Sequence, residues 1–165
     1  MTTLGHGDIA SVLPDRDDLT FFASGVSNSA EFRELEYKRE IDLLMTVRPR
    51  SNHLVYFSSL CILYNPDTRY SKHKRTMENV VRTWFYPYTI MRLGNITWGA
   101  NPRTLINHLR IRRAAGLPLD IQDTYRYLVD KDEFLHWIDL IPSWNCEMNV
   151  PGRRMLVADI VREFV

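Results

Sequence analysis

The chain has 165 residues, 45% hydrophobic content and a formal net charge of +1. That length buries one sizeable core, so a single domain is expected, and the basic residues scattered among acidic ones argue against a nucleic-acid or anionic-membrane surface. The longest apolar stretch is interrupted by Ser58 and Ser59 and is too short to span a bilayer. No secretory signal is evident, and Cys61 and Cys146 lack the spacing of a zinc site or a disulfide framework, which together fit a reducing, cytoplasmic setting.

Met1 to Leu4 reads as a very short strand running into Gly5-His6-Gly7-Asp8-Ile9-Ala10-Ser11. Strand, glycine turn and helix start in that order make a cradle for phosphate, because small residues admit the backbone and a helix N-terminus presents free N–H groups. The pattern is partial: alanine stands at position 10 where a third glycine is expected, and Asp8 is electrostatically awkward beside a phosphate. Pro14 and Asp15-Arg16-Asp17-Asp18 form a loop, and Leu19 to Ala23 a buried strand closing on Ser24-Gly25-Val26-Ser27. A dinucleotide fold places a ribose-binding acidic residue about 20 positions past its glycines; here Gly25, Val26 and Ser27 occupy that distance. Asn28 or Ser29 caps a helix expected to reach about Val47, with Glu31 as reciprocal partner of Asn28 and Pro49 as the stop. Ala30, Tyr37, Ile41, Leu44 and Met45 form its apolar stripe.

His53 to Phe57 reads as a central strand ending at Ser58-Ser59, where side chains face the ligand crevice of an open α/β sheet. Asn65-Pro66-Asp67 is a turn, and Asp67 or Thr68 caps a helix carrying Tyr70 and Lys74. Residues four apart share a helix face, so the phenol and the ammonium can point into one cleft. A nearby positive charge favours the phenolate, which makes the phenol usable as the proton-relay half of a carbonyl/alcohol redox site. The hydride half must come from a cofactor. Tyr127 and Lys131 repeat the spacing, but only the first pair lies between two strands, and the second is read as accidental.

Met77, Val80, Val81 and Trp84 continue the stripe as core. Tyr88 to Leu93 is a strand, followed by Gly94-Asn95-Ile96-Thr97-Trp98-Gly99. Pro102 starts a helix to about Ala115, whose Arg110, Arg112 and Arg113 read as solvated. A strand at Asp123 to Val129, a helix at Lys131 to Ile141 and an amphipathic end from Val157 to Phe164 complete the chain. Alternating strand and helix argues for parallel strands with helices on both faces.

Together these stretches resemble the extended short-chain dehydrogenase/reductase superfamily, the NAD-dependent epimerases and dehydratases of nucleotide sugars. Gly5 to Ser11 resembles its opening glycine turn, and Phe21-Phe22-Ala23-Ser24-Gly25-Val26-Ser27 its fourth strand. Val55-Tyr56-Phe57-Ser58-Ser59 is similar to the strand supplying the catalytic hydroxyl, and Tyr70 and Lys74 match Tyr-x-x-x-Lys. Arg92 to Gly99 is similar to the stretch after the sixth strand. The resemblance implies a Rossmann-like α/β three-layer sandwich with a mostly parallel sheet, unusually short. The second and third strands are missing between Val12 and Leu19, and a small substrate-side portion runs from about residue 95 to 165.

It further implies NAD or NADP as cofactor, bound by Gly5, His6, Gly7, Asp8, Ile9, Ala23, Ser24, Gly25, Leu93 and Gly94. Catalysis would rest on Tyr70, Lys74 and Ser58 or Ser59, the hydroxyl position falling on Ser59 or on Leu60. Asn95 and Arg126 would contact a nucleotide-sugar substrate. A homodimer through the helices at 29–47 and 68–86, using Tyr37, Ile41 and Trp84, is also implied. The alternative is a catalytically degenerate short relative that binds a nucleotide, a sugar or a protein partner.

Overall fold

In the computed structural model, residues 3–47 and 52–165 are described; the expectations for Met1, Thr2 and Pro49 lie outside them. The strands are β1 (Thr3–Leu4), β2 (Leu19–Phe22), β3 (His53–Ser59), β4 (Tyr88–Leu93), β5 (Asn95–Ile96), β6 (Tyr125–Val129), β7 (Cys146–Val150) and β8 (Arg153–Leu156). The helices are α1 (Glu34–Met45), α2 (Cys61–Tyr64), α3 (Arg69–Trp84), α4 (Leu105–Ala114), α5 (Lys131–Asp139) and α6 (Val157–Phe164), with a 3-10 turn at Ala10–Val12.

Five strands pair in the order β1-β2-β3-β4-β7, and all four pairings are parallel. Parallel strands need crossovers, and these cover both faces with helices, which is why β2 and most of β3 are buried along their length rather than alternating with solvent. Side-chain alternation divides the core. Phe21, Val55, Phe57, Met91 and Leu93 pack with Phe134 and Ile138 of α5 on one face. Phe22, Leu54, Tyr56 and Ile90 meet Leu44 of α1 and Met77 and Val81 of α3 on the other. A second sheet, β5-β6-β8, sits after the carboxyl end of β4, with Leu128 packed on Ile106 and Leu109 of α4 and Ile160 of α6. Among the described residues no helix is long and apolar enough to cross a membrane.

Several boundaries differ from expectation for local reasons. The first long helix starts at Glu34, not near Ser29, because Glu31 turns its carboxylate onto Arg33 and onto the N–H groups of Phe32 and Arg33. Asn28 accepts instead from the N–H of Ala30, so the expected capping box does not form. Thr68 does cap α3, accepting from the N–H of Ser71 at 3.1 Å. β7 has no sequence signal: it is an edge strand with residues alternating between half-buried and exposed, so Glu147 and Asn149 break the apolar run. Charge holds it in place, since Glu147 bonds Arg82 of α3 and Arg92 of β4, and both arginines also reach the buried Glu78. Tyr127 lies on β6 and Lys131 on α5, so they share no helix face.

Candidate active site

The carboxyl end of β3 and the first two turns of α3 bring together Ser59, Tyr70 and Lys74. Tyr70 is 8% exposed and interacts with the Ser59 hydroxyl, while the Lys74 Nζ lies 5.8 Å from the Tyr70 ring centre. Leu60 is buried as core and offers no hydroxyl, so Ser59 is the residue beside the phenol. Ser58 is not: it is buried and donates to Glu78 Oε1 at 2.7 Å, which makes it part of the ion network behind β3 and β4.

The group that sequence reasoning missed is Glu40. It sits on α1, is fully buried, and accepts four hydrogen bonds. Oε1 takes Tyr56 OH at 2.6 Å and Lys74 Nζ at 2.9 Å; Oε2 takes the N–H of Val26 at 2.8 Å and pairs with His73 Nε2 at 3.0 Å. Burial works to raise its pKa, but Lys74 and the hydrogen bonds from His73, Tyr56 and Val26 outweigh it and hold the carboxyl below the usual range. The signal available in the sequence was a lone Glu on the apolar side of a helix, at the spacing of Tyr37 and Leu44.

This changes the electrostatics expected of Tyr70. Burial pushes the phenol well above its usual value, with Cys61 and Glu40 adding to the rise and the nearby Ser59 hydroxyl opposing it. The ammonium of Lys74 is engaged by Glu40, also touching Tyr56 OH at 3.2 Å, and does not make the phenol acidic in the chain alone. Gly25 lies directly over this pair: a Cβ there would come within 2.7 Å of Lys74 Nζ and 2.8 Å of Glu40 Oε1.

The glycine turn has its own geometry. Gly5, at φ +124°, packs so closely on the residue that follows β2 that a Cβ would collide with the Ala23 carbonyl oxygen, whereas a Cβ at Gly7 would meet nothing within 4 Å. Asp8 turns away from the turn and accepts from the N–H groups of Ala100 and Asn101, both at 3.0 Å, while Trp98 Nε1 donates to its carbonyl. His6 is exposed, and Ile9, Ala23 and Leu93 pack into the core. Ser24 accepts from Arg39 through both its carbonyl and its hydroxyl. Gly94 is required by packing, since a Cβ would come within 2.7 Å of the Pro151 carbonyl. Asn95 donates to the Tyr127 carbonyl, and Arg126 to Thr124 and Tyr125, so both are tied to β6 and its approach. Tyr64 of α2 is bonded to Cys61 Sγ at 3.2 Å and lies against the ring of Tyr127 on β6 at 6.0 Å.

Gly7 leaves open space at the turn, which would admit a phosphate, and Gly25 lies against Lys74, itself 2% exposed as Tyr70 is 8%. β1, however, is the edge of the sheet, and no further strand among the described residues extends the sheet on the side where a ribose and adenine would lie.

The sequence matches no family model and no curated protein. Solved structures with the same fold do match. The Bordetella bronchiseptica enzyme WbmG, in complex with NAD, aligns at TM-score 0.60 and 18% identity over 86% of this chain and 52% of its own. A UDP-galactose 4-epimerase aligns at 0.67 and 13% identity, covering 89% and 61%. The dTDP-glucose 4,6-dehydratase of Bacillus anthracis str. Ames, in complex with NAD, aligns at 0.57 and 18%, covering 79% and 50%. This chain therefore spans about half to three fifths of the length of these enzymes.

Proposed function

We propose that this chain, which has the Rossmann-type fold of the NAD-dependent nucleotide-sugar epimerases and dehydratases, acts in the same general way on a nucleotide-linked sugar, using NAD or NADP. The observation that carries the reading is the convergence of Ser59, Tyr70 and Lys74 at the carboxyl edge of a parallel sheet, beside the loop that holds Gly25. When bound, the nicotinamide supplies hydride transfer. The Gly5–Gly7 turn and the Ser24–Gly25 loop would hold it. Ser59 orients the substrate hydroxyl and Tyr70 exchanges its proton at the phenol oxygen. Lys74 would provide the charge that makes the exchange workable, and Asn95 and Arg126 would contact the nucleotide sugar. The same reading includes a homodimer through the outer faces of α1 and α3.

A second reading, binding without catalysis, is favoured by one observation: Lys74 is already paired with Glu40 inside the protein. Titration with NADH and NADPH, followed by nicotinamide fluorescence, separates the two. The enzyme reading expects saturable binding of at least one cofactor, retained in Tyr70→Phe, and turnover lost in that variant by at least about a hundredfold. No binding of either cofactor favours the second reading, and turnover undiminished in Tyr70→Phe removes the role given to the phenol.

A further inference from the structure

We propose that Glu40 is a positioning residue for the proton-exchange site: it fixes the Lys74 ammonium and, by offsetting that charge, sets how readily Tyr70 gives up its proton. The catalytic meaning rests on the function proposed above, but the geometry stands without it. Glu40 is contributed by α1, outside the β3–α3 segment that carries Ser59, Tyr70 and Lys74. Both of its oxygens are filled, by Tyr56 of β3 and Lys74 on one and by His73 of α3 and the Val26 N–H on the other. A carboxylate held by four donors cannot drift, so Lys74 is held in turn.

The physical argument is one of distance. Lys74 Nζ lies 2.9 Å from Glu40 Oε1 and 5.8 Å from the centre of the Tyr70 ring. At that separation the phenol faces a nearly neutral ion pair rather than a cation, and the field of a pair falls off faster than that of a single charge. The other groups facing Tyr70 are Ser59 and Tyr56 from β3, Tyr37 from α1, and Cys61 and Tyr64 from α2, and none of these brings a positive charge. Gly25 covers the pair so closely that no side chain can separate the two charges from above. Whatever draws Nζ from Glu40 towards the phenol makes the phenol more acidic.

The test follows the Tyr70 phenol itself, by NMR of protein labelled with 13Cζ-tyrosine and without cofactor, the resonance being assigned by its loss in Tyr70→Phe. In Glu40→Gln the Tyr70 midpoint falls by one pH unit or more, a tenfold or greater loss of proton affinity. Glu40→Asp, which retracts the carboxylate by one methylene, gives a smaller fall. His73→Gln leaves the midpoint where it is, because the imidazole bonds Oε2, the oxygen that Lys74 does not touch. A midpoint equal to wild type in Glu40→Gln overturns the proposal, or in Glu40→Asp should the first variant not fold. A fall in His73→Gln as large as in Glu40→Asp also overturns it, since that would be general loosening. Failure to bind a nicotinamide would sink the proposed function and leave this result standing; an unmoved phenol would do the reverse.

Discussion

At the amino end of β3, away from the candidate site, His53 is 6% exposed and its Nε2 lies 2.7 Å from Thr89 Oγ1, with Nδ1 unpartnered among the described residues. Burial pushes the imidazole below its ordinary value of 6.5, and Asp18 only partly opposes this. The unfolded chain therefore binds a proton that the folded chain resists, and the stability this histidine contributes is present above pH 6.5 and lost as pH falls from there towards the folded value. Urea unfolding across that range should show stability declining with acid, and His53→Gln should flatten the decline; an identical slope in the variant would refute the assignment. The same scale shows why neighbours of one type differ. Ser58 and Ser59 are indistinguishable in sequence, yet one is tied to Glu78 and the other interacts with Tyr70.

Among the elements, the glycine turn and the segment after β5 behave as one unit because Asp8 joins them. Its carboxylate takes the N–H groups of Ala100 and Asn101 just after Gly99, whose φ of +95° turns successive N–H groups the same way. The acidic residue that looked misplaced beside a phosphate is thus an internal anion serving a loop 92 residues away. Asp8→Ala should cost about 1–2 kcal/mol, reduced from a buried value because the site is partly solvated. Amide exchange at Ala100 and Asn101 should accelerate while exchange in β3 and β4 stays slow. Unchanged exchange at those two amides would show that the carboxylate does not hold the loop. The late start of α1 belongs to this scale too: Asn28 and Glu31 carry the residue types of a capping box, but a nearby Arg33 competes for the Glu carboxylate and wins.

For the molecule as a whole, the outer faces of α1 and α3 are the contact proposed between two copies. Tyr37 cannot serve it, being 3% exposed and bonded to the Glu31 carbonyl, and Ile41 packs towards the core. Leu35 and Trp84 do face outward, at 78% and 55% exposure, and a shallow groove on α1 is lined by Leu35, Lys38, Asp42 and Leu43. Sedimentation of the wild type should give a dimer and Leu35→Glu a monomer with an unchanged circular dichroism spectrum. A monomeric wild type would remove the dimer and leave the fold intact. The sequence by itself determined the alternation of strand and helix, the order of the recognisable stretches, a cap at Asp67 or Thr68 and the face shared by Tyr70 and Lys74, because each depends on residues close in the chain. Only the tertiary structure decided which serine meets the phenol, that β7 closes the sheet, and that Lys74 is met by Glu40 from another helix. Those outcomes come from partners 11 to 65 positions apart, whose meeting is set by packing of the sheet and not by local pattern.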